Sequence, residues 1–575
     1  MLQSNPDADS KHASAYMLIG LWGCEYDVRS KIRGELVIDA RGSAWRASIA
    51  GLDVPVALKG NAVTFNLPDR QGEFRGYADS DSRGIVGQWI QPTGIFLNNR
   101  YATPVGLARS DQGVWKGIVV PLEDRLTIYM VVQKIPDGSI GAFWRNPEFN
   151  LGMSRPFRVT DEAGDVTFVN ARNTSDKFRG TYEHQTDHLV IRLPSYNATL
   201  DFTRRNREDA LGFYPRTPAP KNYVPRQPIS RSDGWATGSL RDVELDPKPI
   251  RALVERILRT ETLDYTTPYI HSLLIARHGK LVLEEYFYGF DWSIPHDTRS
   301  AGKTLGSTLV GIAMKHGAGF ELQTPVLSLF PEYNEIANLD ARKKRITVKN
   351  LLTMTSGLAG DDNDDSSPGS EDYMQSQQLQ LDWYKYALDL PMASEPGGEK
   401  AVYCSPAINL LGGIVRNTMG VWLPEFFYKH FAEPLDVHMY HLNLMPSNDA
   451  YMGGGAYLRP RDLLKLGQLY LSGGVWNGKR VVSESWVDSS TRKHSSFDQD
   501  HGYGFAWHIR DLTAGDHVYR EYSAEGNGGQ LLIVIPELDL VVGITAGNYG
   551  NFPTWYRFIQ ELVPQFIIPA ASNQR

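Results

Sequence analysis

Two textures of apolar patterning divide the chain. From residue 16 to about 214, apolar residues come in short alternating runs rich in aromatics and broken by turn dipeptides, with few windows of helical period, which predicts antiparallel all-β structure. Two stretches of this half echo each other. Trp22-Gly23 leads to Phe65 in AVTFNL and to Phe74-Arg75-Gly76, and Trp115-Lys116-Gly117 leads to Phe168 in DVTFVN and to Phe178-Arg179-Gly180. A period of about one hundred residues is too long for a solenoid and reads instead as two tandem β units or one duplicated barrel, divided as 16–103 and 104–214. The run PRTPAPKNYVPRQP that follows carries five prolines, which withhold backbone donors from any sheet, so 215–230 is expected to be an extended linker.

Beyond the linker, in 231–575, strands mix with helices. SLLIAR and KLVLEEY flank His278-Gly279 as a hairpin. From Ser300 a helical period sets Leu305, Leu309 and Ile312 on one face, with Gly317 placed to end it. Thr347 is positioned to cap a second helix reaching towards Gly357, and 406–418 and 460–471 fit two more. QLLIVI and LDLVVGIT read as strands joined at Pro536-Glu537, ahead of an amphipathic stretch over 552–566. Strands, then helices, then strands and a helix predict an α+β domain whose antiparallel sheet is closed from both ends of the segment and flanked by helices.

Composition adds exclusions. At 575 residues the chain exceeds what one core supports, in keeping with several domains. A net charge of -7, with basic residues scattered, gives no footprint for nucleic acid. The N-terminus lacks a basic segment followed by an apolar core, and no run of apolar residues is long enough to span a membrane, so the expectation is a soluble, cytoplasmic chain. Cys24 and Cys404 are too few and too far apart to read as a disulfide framework.

The candidate chemistry begins with eliminations. There is no G-x-S-x-G elbow, no H-E-x-x-H and no paired C-x-x-C, and no metal or organic cofactor is called for. Gly473 to Lys479 has the spacing of a phosphate loop, but Arg480 stands where a Ser or Thr should follow. What remains is S-x-x-K, present at Ser300/Lys303 and again at Ser490/Lys493. A serine hydroxyl needs a neighbouring base to become a nucleophile, and a lysine one helical turn on can reach it; if buried, its amine loses its proton more readily. Four residues alone do not separate the two matches.

Context does. Over 271–571 the chain resembles the serine β-lactamase-like and penicillin-binding-protein-like superfamily, which holds class C β-lactamases, family VIII esterases, D-aminopeptidases and nylon-oligomer hydrolases. The resemblance rests on six runs in family order: LLIARHGKLVLEEYFYG, SAGKTLGSTLVGIAMKHG, ITVKNLLTMTSGL, PGGEKAVYCSPAINLLGGIV, GGGAYLRPRDLLKLGQLYLSGG and GNGGQLLIVIPELDLVVGIT. Ser490 falls in none of them.

The resemblance implies Ser300 as nucleophile, Lys303 as its activator and Tyr403 as the proton-shuttling tyrosine, with Ser405 in the place of a substrate-contacting polar residue. It places Asn527-Gly528-Gly529 where lactamases carry K-T-G, and makes the backbone N–H groups of Ser300 and Gln530 the oxyanion donors. Without that lysine a substrate carboxylate loses its charge-assisted partner, and the glycines are expected to leave open space, which turns the expectation from lactams to other esters and amides. Some relatives carry accessory barrels, so lipocalin-like barrel units are expected in the N-terminal half.

The acidic run DDNDDSSPGSED (361–372) lacks the glycine and terminal glutamate of a calcium loop and reads as a solvated segment. It follows the TSGL motif, which borders the cleft in relatives, so its charge would favour cationic substrates. The implied function is hydrolysis of a small-molecule or short-peptide ester or amide through an acyl-enzyme. The alternatives are a D-amino-acid peptidase or amidase, a β-lactamase, or a protein that binds penicillin or peptide without turnover. Self-association through the N-terminal half is left open.

Overall fold

The computed structural model describes residues 15–572 except 28–31, 79–83, 94–99, 123–124, 149–155, 172, 194–197, 219, 221 and 377–380. The N-terminal segment read above for a leader and two positions of the proline-rich run therefore lie outside the described residues.

The first half is all-β, and its two echoing stretches are matching hairpins. Phe65 pairs with Phe74 across Ala62–Asn66 and Glu73–Ala78, and Phe168 with Phe178 across Asp165–Asn170 and Lys177–Glu183; both ring pairs stack, with centroids 5.5 Å and 4.7 Å apart. The strands that open the two repeats have changed places. Gly20–Asp27, which carries Trp22, pairs with Arg125–Lys134 and Ala198–Arg204 and closes the barrel of the second repeat. Val114–Val119, which carries Trp115, pairs with Gly34–Asp39 and Arg100–Asp111 in the sheet of the first. Each tryptophan is buried in the core of the other repeat. The division expected at 103/104 is therefore corrected: it cuts the strand Arg100–Asp111, and while the first unit runs continuously over 34–119, the barrel joins 20–27 to 125–204, because the exchanged strands supply ladder bonds that a sequence period does not assign.

The first sheet does not stop at the repeat. Arg100–Asp111 also pairs with Tyr440–Leu444 of the second half, Asn443 opposite Tyr101, so that a twelve-stranded sheet runs from the N-terminal β region into the helical domain. The expected spacer is no free linker either. Tyr288 N–H donates to Pro215 O at 3.0 Å, Tyr223 Oη to Glu285 at 2.7 Å, and Arg216 pairs with the same carboxylate, fastening the proline-rich run to the hairpin strand Lys280–Tyr286.

The second half is built on a nine-stranded sheet in which Ile270–Arg277 pairs with Leu540–Ala546, so the two ends of the segment meet as expected. Its central strands Ile270–Arg277, Gln530–Ile535 and Leu540–Ala546 are buried at every position because both faces are covered. Leu274, Ala276, Leu532 and Val541 join one core with the helices Gly302–Lys315 and Pro460–Leu471, while Leu273, Ile275, Ile533 and Val542 join another with Pro247–Leu258 and the C-terminal helical turns.

His278 and Gly279 both take positive φ, 51° and 70°, which makes the two-residue hairpin turn that matches strand twist. Thr347 and Asn350 form a reciprocal capping box, but that helix stops at Leu352 because Met354 turns left-handed at φ 55°. The amphipathic stretch after residue 552 is helical, with wider turns over Phe558–Ile567 around Pro564, which has no N–H to give the ladder. No helix among the described residues is long and apolar enough to cross a membrane. Both cysteines are buried and unpaired with each other.

Candidate active site

Ser300 stands where a short strand breaks into the central helix. His296–Asp297 pairs with Ala456–Leu458, and Thr298 anchors to Ala456 O through both its N–H, 2.9 Å, and its hydroxyl, 2.7 Å. Asp297 Oδ1 then accepts Arg299 N–H at 2.9 Å, and Arg299 sits at φ 47°, a conformation unfavourable for a side chain with a Cβ. This strained residue turns the chain so that Ser300 is half-buried at the head of Gly302–Lys315.

One turn on, Lys303 is buried, and its Nζ donates to Ser300 Oγ at 2.9 Å and to Gly453 O at 2.6 Å. Burial pushes its pKa below the ordinary lysine value, against the pull of Glu371 and Asp362, which favours the neutral amine. The ammonium end lies 4.8 Å from the centre of the Tyr403 ring. Burial drives the Tyr403 phenol up, a hydrogen bond with Ser300 opposing it, so the phenol holds its proton at neutral pH. Ser300, Lys303 and Tyr403 thus lie together. The second S-x-x-K does not: Ser490 is buried in its own helix, its hydroxyl donating to Trp486 O at 2.7 Å.

Ser405 begins the helix Ser405–Met419 and is fully buried. Its N–H and hydroxyl both donate to Asp362 Oδ2, while Asp362 N–H donates to Tyr403 O at 2.8 Å and Asp362 Oδ1 accepts Glu371 N–H at 2.8 Å. Burial, and then Glu371, push the Asp362 carboxyl up to about 6. The expectation that 361–372 is simply a solvated segment is corrected at these two residues: Asp362 is bonded to Ser405 and to the Tyr403 carbonyl, and Glu371 accepts the Tyr451 hydroxyl.

The remaining positions lie opposite Ser300. Gly526 pairs with Gln530, and 527–529 make the turn between their strands. A Cβ on Gly526 would stand 2.3 Å from Thr298 O, so the absence of a side chain lets this strand close on the serine turn. Asn527 borders the same cavity as Ser300, and its Oδ1 accepts Gly550 N–H at 2.9 Å. Gln530 is buried, donating to Ala546 O at 2.6 Å. Gly528 and Gly529 take φ 97° and 98°, and a Cβ on either would meet Tyr549 or Trp555 and Phe558. The open space expected at these glycines is therefore corrected: aromatic rings fill it.

The model of the Beta-lactamase family matches residues 271–561, half of the chain, and takes in every site residue above. The chain belongs to the Beta-lactamase family. Of the curated proteins, the 6-aminohexanoate-dimer hydrolase of Paenarthrobacter ureafaciens is 25% identical over 272 residues, covering 46% of this chain and 63% of that protein's length. Among solved structures, a penicillin-binding protein homologue from Caulobacter crescentus aligns at 14% identity and TM-score 0.43, covering 54% of this chain and 95% of that one. Simvastatin synthase (LovD) from Aspergillus terreus aligns at 16% identity and TM-score 0.43, covering 53% and 94%. The β repeats lie outside the Beta-lactamase match, yet they touch it where Asn443 pairs with Tyr101.

Asn443, Tyr451, Asp362, Glu371 and Gly526 are the site residues that sequence reasoning missed. Asp362 and Glu371 were visible only as members of an acidic run and Gly526 only as the first residue of the run GNGGQLLIVIPELDLVVGIT, and no local pattern marks Asn443 or Tyr451.

Proposed function

We propose that the chain is a serine hydrolase that cleaves an ester or amide through an acyl-enzyme on Ser300. The observation that carries this reading is the 2.9 Å contact of Lys303 Nζ with Ser300 Oγ in a buried setting that disfavours the ammonium. The neutral amine takes the hydroxyl proton as Oγ bonds to the substrate carbonyl carbon. The oxyanion so formed is met by the backbone N–H groups of Ser300 and Gln530. Lys303 passes its extra proton through the Tyr403 phenol to the leaving group as the carbonyl–leaving-group bond breaks. Water then attacks the acyl-enzyme, its proton returning by the same groups to Ser300 Oγ.

Asn527, in place of a lysine, favours esters or amides without a fixed carboxylate. The hydrolase name borne by the curated relative supports the reaction class. A fluorophosphonate probe with intact-mass analysis is the direct test: a single adduct on Ser300, lost in Ser300→Ala, is expected, and an unlabelled wild-type protein overturns the reading. Comparing a short p-nitrophenyl ester, nitrocefin and a D-alanyl amide then orders the substrate classes.

A further inference from the structure

The interior of the closed barrel is filled by its own side chains, Trp22, Ile128, Met130 and Phe168 among them, each fully buried. Residues that alternate with these on the same strands point outward. Glu25, paired opposite Thr127, and Tyr129 do so, and they border a cavity of about 580 Å³ outside the barrel wall. Tyr288, Phe290, Ile294, His441 and Tyr457 close it from the catalytic half. It shares no lining residue with the cavity beside Ser300, and its size is that of a small-molecule site.

Much of the wall is apolar, with Leu122, Pro147, Phe290 and Ile294 in it. Glu25, Glu148 and Asp209 are its charged residues, and no Lys or Arg lines it, so the field disfavours an anion. Burial holds the His441 imidazole down to about 3, so it adds no positive charge at neutral pH.

The polar end of the cavity is unfinished. His441 and Tyr457 lie opposite each other in paired strands, their rings 6.4 Å apart, at 2% and 4% exposure. His441 Nδ1 meets Thr103 Oγ1 at 2.7 Å, which leaves Nε2 without a partner among the described residues, and Tyr457 Oη has none there either. Neither atom is sealed off, and the cavity is the space that both residues line. Two buried polar groups side by side are unfavourable unless something in the cavity bonds them. A hydroxyl both donates and accepts, so it meets the phenol together with either tautomer of the imidazole. An ammonium cannot accept and a carboxylate cannot donate, and each would bring a charge to a pair of neutral groups.

We propose that this seam between the barrel and the catalytic half binds an uncharged small molecule with an apolar body and a hydroxyl, the hydroxyl meeting His441 and Tyr457. The body lies against Leu122, Pro147, Phe290 and Ile294, and the bound molecule ties the barrel wall to the catalytic half.

The test is isothermal titration calorimetry of the full chain with 4-tert-butylphenol, 4-tert-butylbenzoate and 4-tert-butylbenzylammonium, which share a body and differ in the polar end. The phenol is expected to bind at a single site with a Kd of about 0.1 mM. The benzoate and the ammonium should each bind at least about tenfold more weakly. His441→Asn keeps an amide where Nδ1 meets Thr103 and has nothing in place of Nε2, and it should weaken the phenol several-fold. Leu211→Trp, at a lining residue that is 54% exposed, should block entry without disturbing a core. The phenol should also raise Tm in the wild type but not in Leu211→Trp. No binding of the phenol, equal or tighter binding of either ion, or full affinity in Leu211→Trp overturns the proposal. None of these measurements involves Ser300, so each outcome is separate from that of the hydrolase reading.

Discussion

Asp362 Oδ2 accepts two donors from Ser405, the backbone N–H at 3.1 Å and the hydroxyl. This carboxylate caps the first turn of a buried helix and, through its own N–H, holds Tyr403 O in place. Its pKa is raised from 3.8 to about 6, so between those values the folded protein keeps a proton that the unfolded chain has released. Stability from this group is therefore greatest at low pH and is lost as pH rises through that window. Asp362→Asn should flatten the fall in Tm of the wild type between pH 4 and 6; an unchanged slope refutes the assignment.

In the proposed acylation Lys303 acts as the neutral amine. Lys303→Arg keeps a cation but cannot give up its proton at working pH, and it should lower kcat/KM by about 10² to 10⁴, the usual worth of a positioned general base. In the wild type, kcat/KM should rise with pH along a limb centred below the ordinary lysine value of 10.5. A variant that is folded by circular dichroism and nearly as active as the wild type rules out the amine as base.

Tyr403→Phe removes the proposed phenolic proton relay while keeping the ring above Lys303. Acylation and deacylation should both slow, by roughly 10² or more on every ester tested. Because burial holds the phenol protonated, no activity limb from Tyr403 should appear between pH 6 and 9. Stopped-flow rates equal to the wild type in both phases take Tyr403 out of the chemistry.

Gly526→Ala forces a methyl group to within 2.3 Å of Thr298 O, in the turn that sets Ser300. Overpacking of this kind costs about 2 kcal/mol, so a fall in Tm should accompany slower labelling of Ser300 by fluorophosphonate. Normal labelling with normal Tm shows the turn to be looser than the geometry implies.

What the residue pattern made legible was chemistry that is local in sequence or carried by a long family resemblance. Ser300 and Lys303 are one helical turn apart, His278-Gly279 writes its own turn, and apolar runs mark the central strands. Asp362 looked solvated because eleven of its neighbours in 361–372 are equally polar, glycine or proline, and only the fold decides which one turns inward. Asn443 owes its position to Tyr101, more than three hundred residues away. Trp22 and Trp115 advertised a repeat but not an exchange, because a swapped strand satisfies the same local pattern as an unswapped one.

That exchange gives a further expectation. A chain beginning at residue 120 lacks both Gly20–Asp27, which closes the second barrel, and Arg100–Asp111, which covers Tyr440–Leu444. Left with open sheet edges, it should aggregate or lose most of its ester hydrolysis even though the whole Beta-lactamase segment is present. Size-exclusion chromatography and kcat/KM check this; a monodisperse, fully active fragment shows the barrels to be dispensable.

For the history of such chains, the crossed strands have a consequence for inheritance. The strands of the first sheet, 34–119, lie in sequence between Gly20–Asp27 and Arg125–Lys134 of the barrel, so that segment can be gained or shed as one insert while the barrel around it keeps all its strands.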